Sequence, residues 1–135
     1  MESSTEDIQY IYAKIVEFNF KKAPPTQENS FEIISINYKD GNNNIRAGMI
    51  ASLYMWRIIN IDVLWVDETL RKSGLGTKML RKLEKIAKKK NCKLIHVDTF
   101  SFQAPEFYKK NGFEVFGVLE NCPPGHQRYF LKKDL

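Results

Sequence analysis

One stretch constrains this chain more than any other. Arg71-Lys72-Ser73-Gly74-Leu75-Gly76-Thr77 sits between a strand-like apolar run, Ile58 to Val66, and a helical pattern in which Leu75, Met79, Leu83, Ile86 and Ala87 form an apolar stripe. Lys and Arg fill the other face of that helix, and Asn91 reads as its C-terminal stop. A strand, a glycine turn with basic residues and a helix start together make a phosphate site. Glycines let the backbone approach closely, and the N–H groups of the first helical turn carry partial positive charge. Two common phosphate loops do not fit. The Walker pattern needs glycines five residues apart before Lys-Ser/Thr, and the dinucleotide fingerprint needs a third glycine where Met79 stands.

The rest of the chain reads as alternating elements around that loop. Ser4 and Asp7 have capping-box spacing, and Ile8, Ile11, Tyr12, Ile15 and Val16 recur helically, which predicts an amphipathic helix over 5–19. Pro24-Pro25 blocks its continuation. Runs 31–39 and 45–54 flank Asp40-Gly41-Asn42-Asn43-Asn44 and predict an antiparallel hairpin. Ile58–Val66 is apolar on both faces apart from Asn60 and Asp62, so it reads as a central strand buried on both sides. Residues 93–99 read as another buried strand, 103–110 as a short helix closed by Asn111-Gly112, and 113–119 and 127–132 as final strands.

At 135 residues the chain has room for one domain, expected to span 1–135. It has 43% hydrophobic and 27% charged residues, a composition that excludes disorder and collagen-like chains. No apolar run approaches the ~18–20 residues needed to cross a bilayer, so no membrane partner is expected. The first ten residues are acidic and polar, the reverse of an export signal, and two cysteines make no disulfide framework. The expectation is a reduced, cytoplasmic protein. A net charge of +5 favours a polyanionic ligand, whether nucleic acid, an anionic membrane or a phosphorylated cofactor, without choosing among them.

Arg71-x-x-Gly74-x-Gly76 resembles the pyrophosphate loop of the GNAT N-acetyltransferase superfamily. Ala104, followed by Phe107-Tyr108-x-x-x-Gly112-Phe113, resembles that superfamily's second landmark, in the right order and separation. The resemblance covers roughly 31–135. It implies an α/β fold, a central mixed but mostly antiparallel twisted sheet with helices on both faces. It also implies acetyl-CoA as co-substrate, no metal, and a primary amine acceptor, either small-molecule or peptide, attacked directly in a ternary complex. A homodimer is compatible with it. No convincing first strand precedes the N-terminal helix, which departs from the family.

Residue by residue, the resemblance places the pantetheine arm and thioester oxygen against main-chain amides of Leu64, Trp65 and Val66. The pyrophosphate falls to Arg71, Lys72, Ser73, Gly74, Leu75, Gly76 and Thr77, with Lys78 adding charge. Lys72 stands where the family usually has glycine. Ser101 stands where many relatives have an asparagine that touches the pantetheine arm. Tyr108 corresponds to the general acid for the departing thiolate; by itself it reads equally as a buried helix aromatic. Period-2 alternation puts Asn60, Asp62, Leu64 and Val66 on one face, so Asp62 is a candidate base, or a group that orients a cationic acceptor. His96 reads as structural, Cys92 as a small buried hydrophobe, and Cys122 with His126 as too few ligands for a metal. Tyr54, Trp56 and Trp65 read mostly as core, the first two also as candidate acceptor walls. The alternatives are a non-catalytic acyl-CoA sensor and a basic nucleic-acid-binding module. The latter lacks an aromatic-and-basic stacking stripe, so no nucleic acid is expected.

Overall fold

A computed structural model describes all residues, 1–135. Helix α1 (Thr5–Lys22) starts at a capping box: Asp7 N–H donates to Ser4 Oγ at 3.2 Å, and Ser4 N–H to Asp7 Oδ2 at 2.9 Å. It runs three residues beyond the expected end, to the brink of Pro24. Strands β1 (Phe31–Lys39) and β2 (Ile45–Tyr54) form the hairpin, with Asp40 Oδ1 accepting from the N–H groups of Asn42 and Asn44. Strand β3 (Ile58–Val66) follows. After a 3-10 turn at Glu68–Leu70 come α2 (Leu75–Lys89), β4 (Leu94–Phe100), α3 (Pro105–Lys110), β5 (Glu114–Glu120) and β6 (Gln127–Asp134).

The six strands form one sheet in the order β1-β2-β3-β4-β6-β5. Every pairing is antiparallel except β3 with β4. The core lies on one face of it. Met79, Leu80, Leu83 and Ala87 of α2 pack there with Ile34, Met49, Ile59, Ile95 and Leu131. Helix α3 shares this face: Lys133 Nζ bridges Glu84 of α2, at 2.8 Å, and the Asn111 carbonyl that ends α3, at 2.9 Å.

The other face corrects two expectations. Neither β3 nor β4 is buried on both sides. Their burial alternates along the strand, and Val63 and Trp65 are about half exposed. The cause is that α1 buries none of its residues, leaving this second face without a helix of its own. Trp65 is therefore a surface aromatic and not core. In the single chain the helices that pack on the sheet do so on one side.

Candidate active site

A bulge in β3 creates the site. Ile50 pairs with Val63 and Ala51 with Ile61, so Asp62 is an extra residue with no partner in β2. Period-2 alternation fails across it. Leu64 and Val66 turn to the helix-covered face and pack on the core, whereas Asp62 stays on the open face among Ser52 and Asn60. The expectation that Asp62, Leu64 and Val66 share one side is thus overturned. Ser52 Oγ donates to Asp62 Oδ2 at 2.5 Å, and Asn60 Nδ2 to Oδ1 at 2.6 Å.

Beyond the bulge, β3 parts from β4. Their parallel ladder runs from Ile58 and Leu94 to Ile61 and Val97 and goes no further. From Asp62 onward, the edge of β3 that faces β4 has backbone groups free for a ligand. The wedge between the strands opens a cleft of about 880 Å³, floored by β3 and β4 and walled by the starts of α2 and α3. That volume suits a ligand of coenzyme size.

Of the residues singled out in the sequence, Asp62, Leu64, Trp65, Val66, Arg71, Lys72, Gly74, Leu75, Gly76, Thr77, Ser101 and Tyr108 all line this one cleft. Ser73 does not: its hydroxyl donates back to the Leu70 carbonyl and closes the 3-10 turn. Lys78 also lies outside, while Lys110, which the motifs did not nominate, lines it. Thr99 and Gln103 were missed as well. Ala104 N–H and Phe100 N–H donate to their side chains, at 3.3 and 2.9 Å, and so set the turn that aims α3.

The loop glycines divide their labour. Gly74 has φ of +84° at the N-cap of α2, and a Cβ there would meet nothing within 4 Å, so the space before the helix amides is open to an anion. Gly76 instead permits packing, since a Cβ would sit 3.2 Å from the Phe107 ring. Lys72 adopts φ of +62°, a left-handed conformation that explains why glycine is usual there. Arg71 Nε donates to the Val66 carbonyl at 3.2 Å, tying the loop to the end of β3.

Tyr108 is 3% exposed, wedged against Phe107 and Phe113. Its hydroxyl has no protein partner, yet no fully buried side-chain polar atom is unpaired, so this oxygen reaches the cleft. Burial, and secondarily the charge of Asp98, push its pKa well above the ordinary phenol value and keep it protonated. Ser101 Oγ accepts from Gln127 N–H at 3.0 Å. On the open face, Tyr54 Oη and His96 Nε2 lie 2.7 Å apart, and burial holds the imidazole pKa below its usual value. Arg128 donates twice to Asp98 Oδ1. Trp56 serves neither core nor cleft: its Nε1 donates to the Ala23 carbonyl at the end of α1. Cys92 is buried, and no group of three His, Cys, Asp or Glu is placed to hold a metal.

The profile of the Acetyltransferase (GNAT) family matches residues 6–113. The chain belongs to this family. The match starts inside α1, earlier than the motifs alone indicated. The chain is 29% identical over 116 residues to a blasticidin-S acetyltransferase of Streptomyces morookaense, covering 85% of each. A crystal structure of an acetyltransferase from Bacillus cereus is 38% identical, with a TM-score of 0.94, over 100% of this chain and 96% of that one. An aminoglycoside 6'-N-acetyltransferase solved with coenzyme A shares the fold at 19% identity and a TM-score of 0.66, covering 76% of this chain and 73% of that one. The activity of this family is acetyl-CoA-dependent N-acetyl transfer. No helix is long and apolar enough to cross a membrane.

Proposed function

We propose that residues 1–135 act as one acetyltransferase domain on a cationic small-molecule primary amine, with the cleft between β3 and β4 as its active site. The observation that carries this reading is the convergence, in one cleft, of an anion-ready helix start, a free strand edge and the Tyr108 hydroxyl. Acetyl-CoA supplies an activated thioester. The amides from Arg71 to Thr77, with the Arg71 and Lys72 charges, hold its pyrophosphate. The β3 edge from Leu64 to Val66 holds the pantetheine arm by main-chain hydrogen bonds, and Ser101 borders it.

Tyr108 donates its proton to the sulfur as the carbon–sulfur bond breaks. A phenol above pKa 10 is a weak acid in water, but the same burial that raises it also raises the thiol, which keeps the transfer near balance. Asp62 faces the acceptor. With both oxygens engaged by Ser52 and Asn60, it is fixed as an anchor for a cationic amine, whose proton leaves to solvent. Asp98, also in the cleft wall, is paired with Arg128, which leaves Asp62 as the carboxylate offered to the acceptor. The likeness to a blasticidin-S acetyltransferase supports a small cationic acceptor over a peptide. The two cysteines are unpaired, which suits a reducing cytoplasm.

The test is thiol release from acetyl-CoA over a panel of cationic nucleosides, aminoglycosides, polyamines and lysine peptides. Turnover with a small cationic amine, reduced in Asp62→Asn chiefly through KM, is the expected result. Thermal stabilisation by acetyl-CoA without turnover on any amine would instead make the chain a sensor.

A further inference from the structure

Two apolar surfaces of this chain are left bare, and they match. Ile8, Ile11, Tyr12, Ile15 and Phe18 form a stripe along α1 at spacings of three and four, each between 47% and 68% exposed. On the open face of the sheet, Phe31, Ile33, Ile50, Val63 and Trp65 are each between 42% and 64% exposed. Strand β3 carries the composition of a strand covered on both sides, yet only one side is covered. Each of the two surfaces exposes on the order of 500 Å², at the upper end of the largest patch on an ordinary monomer, and this chain carries two of them.

The helix is held away from its own sheet. The link from Ala23 to Ser30 is pinned to the β2–β3 turn. Trp56 Nε1 donates to the Ala23 carbonyl at 2.8 Å, Thr26 N–H to the Met55 carbonyl at 2.8 Å, and Met55 N–H to the Ser30 carbonyl at 2.8 Å. Arg57 Nε donates to the Thr26 carbonyl at 3.1 Å, and Gln27 Nε2 to the Leu53 carbonyl at 3.2 Å. Folding α1 back onto its own sheet would disturb this network. The placement recurs in the Bacillus cereus relative: a TM-score of 0.94 over the whole chain requires the 18 residues of α1 to superpose too.

We propose that the occupant of each bare surface is the other one, on a second copy of this chain: two chains exchange their α1 helices, each laid across the open face of its partner's sheet. The contact is isologous and so occurs twice. It covers on the order of 2,000 Å² in all, enough for a stable homodimer. The exchange explains why a helix with five regularly spaced apolar residues and a strand apolar on both faces survive in one sequence without meeting.

Sedimentation of the full chain over a concentration series tests this, beside Ile11→Asp/Ile15→Asp on the helix and Ile33→Asp/Ile50→Asp on the sheet. The expected result is a dimer for the native chain and a folded monomer for each variant, with the acetyl-CoA melting shift retained as the sign of folding. A native monomer would overturn the proposal. So would a dimer that survives the sheet substitutions, which would mean helix pairing with helix, or one that survives the helix substitutions. A second measurement needs no variant. Amine cross-linking of mixed isotope-labelled and unlabelled native chains should join the α1 lysines (Lys14, Lys21, Lys22) of one copy to lysines of the sheet in another. Links between these lysines confined to single chains would contradict the exchange.

Discussion

Helices α1 and α2 are both amphipathic, and they fare oppositely. Four residues of α2 are buried against the sheet, and its N-terminus opens the cleft; α1 buries none. An apolar stripe announces that a partner exists and leaves open where it is. The stripe on α2 finds its partner within the chain, because the short strand-to-helix connection at 67–74 drops it back onto the neighbouring strands. The stripe on α1 ends at a pinned, proline-containing link and does not.

The comparison breaks most readily in the core. Leu83 is fully buried, and Leu83→Ala should cost about 2–5 kcal/mol, with a melting temperature that falls equally at every chain concentration. Ile11→Ala should act only through association, so its melting shift should shrink towards zero as the chain is diluted and the native dimer itself dissociates. Equal, concentration-independent shifts from both would remove the contrast between the helices.

The start of α2 is sharpened by ligand. Acetyl-CoA at a hundredfold excess over its Kd should stabilise the native chain by about 2.7 kcal/mol. Gly74→Asp sets a carboxylate where the pyrophosphate would lie, and should abolish that gain. A retained melting shift would mean the loop does not hold the phosphates. Lys72→Gly relieves a left-handed lysine and should stabilise the free chain by about 0.5–1 kcal/mol while weakening acetyl-CoA binding a few-fold, as read by calorimetry.

The smallest effect belongs to the open face. His96 has a folded pKa held below the ordinary 6.5 by burial, so the folded state binds fewer protons there than the unfolded one. Stability should therefore be full above pH 6.5 and decline as pH falls below it, and His96→Gln should flatten that decline in urea titrations.

The helix-covered side was the legible one. The hairpin, the glycine turn ahead of α2, α3 and the place of Tyr108 in the cleft wall stand as read, because each announces itself through local chemistry: a turn cluster, a Gly-x-Gly turn, a Phe-Tyr ahead of Gly112. The Asp62 bulge was illegible, since no Gly or Pro marks it and the residues on both sides of Asp62 are apolar, so alternation put Leu64 and Val66 on the wrong face. The bare side of β3 was hidden for a related reason. Composition shows that a surface wants cover, and it is silent on whether the same molecule supplies it. Lys78 was misplaced because a helix start sends successive residues to different sides, and one turn separates a phosphate neighbour from solvent.

The central claim is that this cleft performs acid-assisted acetyl transfer, and Tyr108→Phe tests it most directly. The change keeps the ring, its packing on Phe107 and Phe113, and the short helix, so folding and acetyl-CoA affinity should barely move. If the hydroxyl acts only as the thiolate departs, its contribution belongs to the transition state. Turnover with a good acceptor should then fall by roughly 10²–10⁴-fold with KM for acetyl-CoA unchanged. Wild-type turnover in Tyr108→Phe would contradict the account.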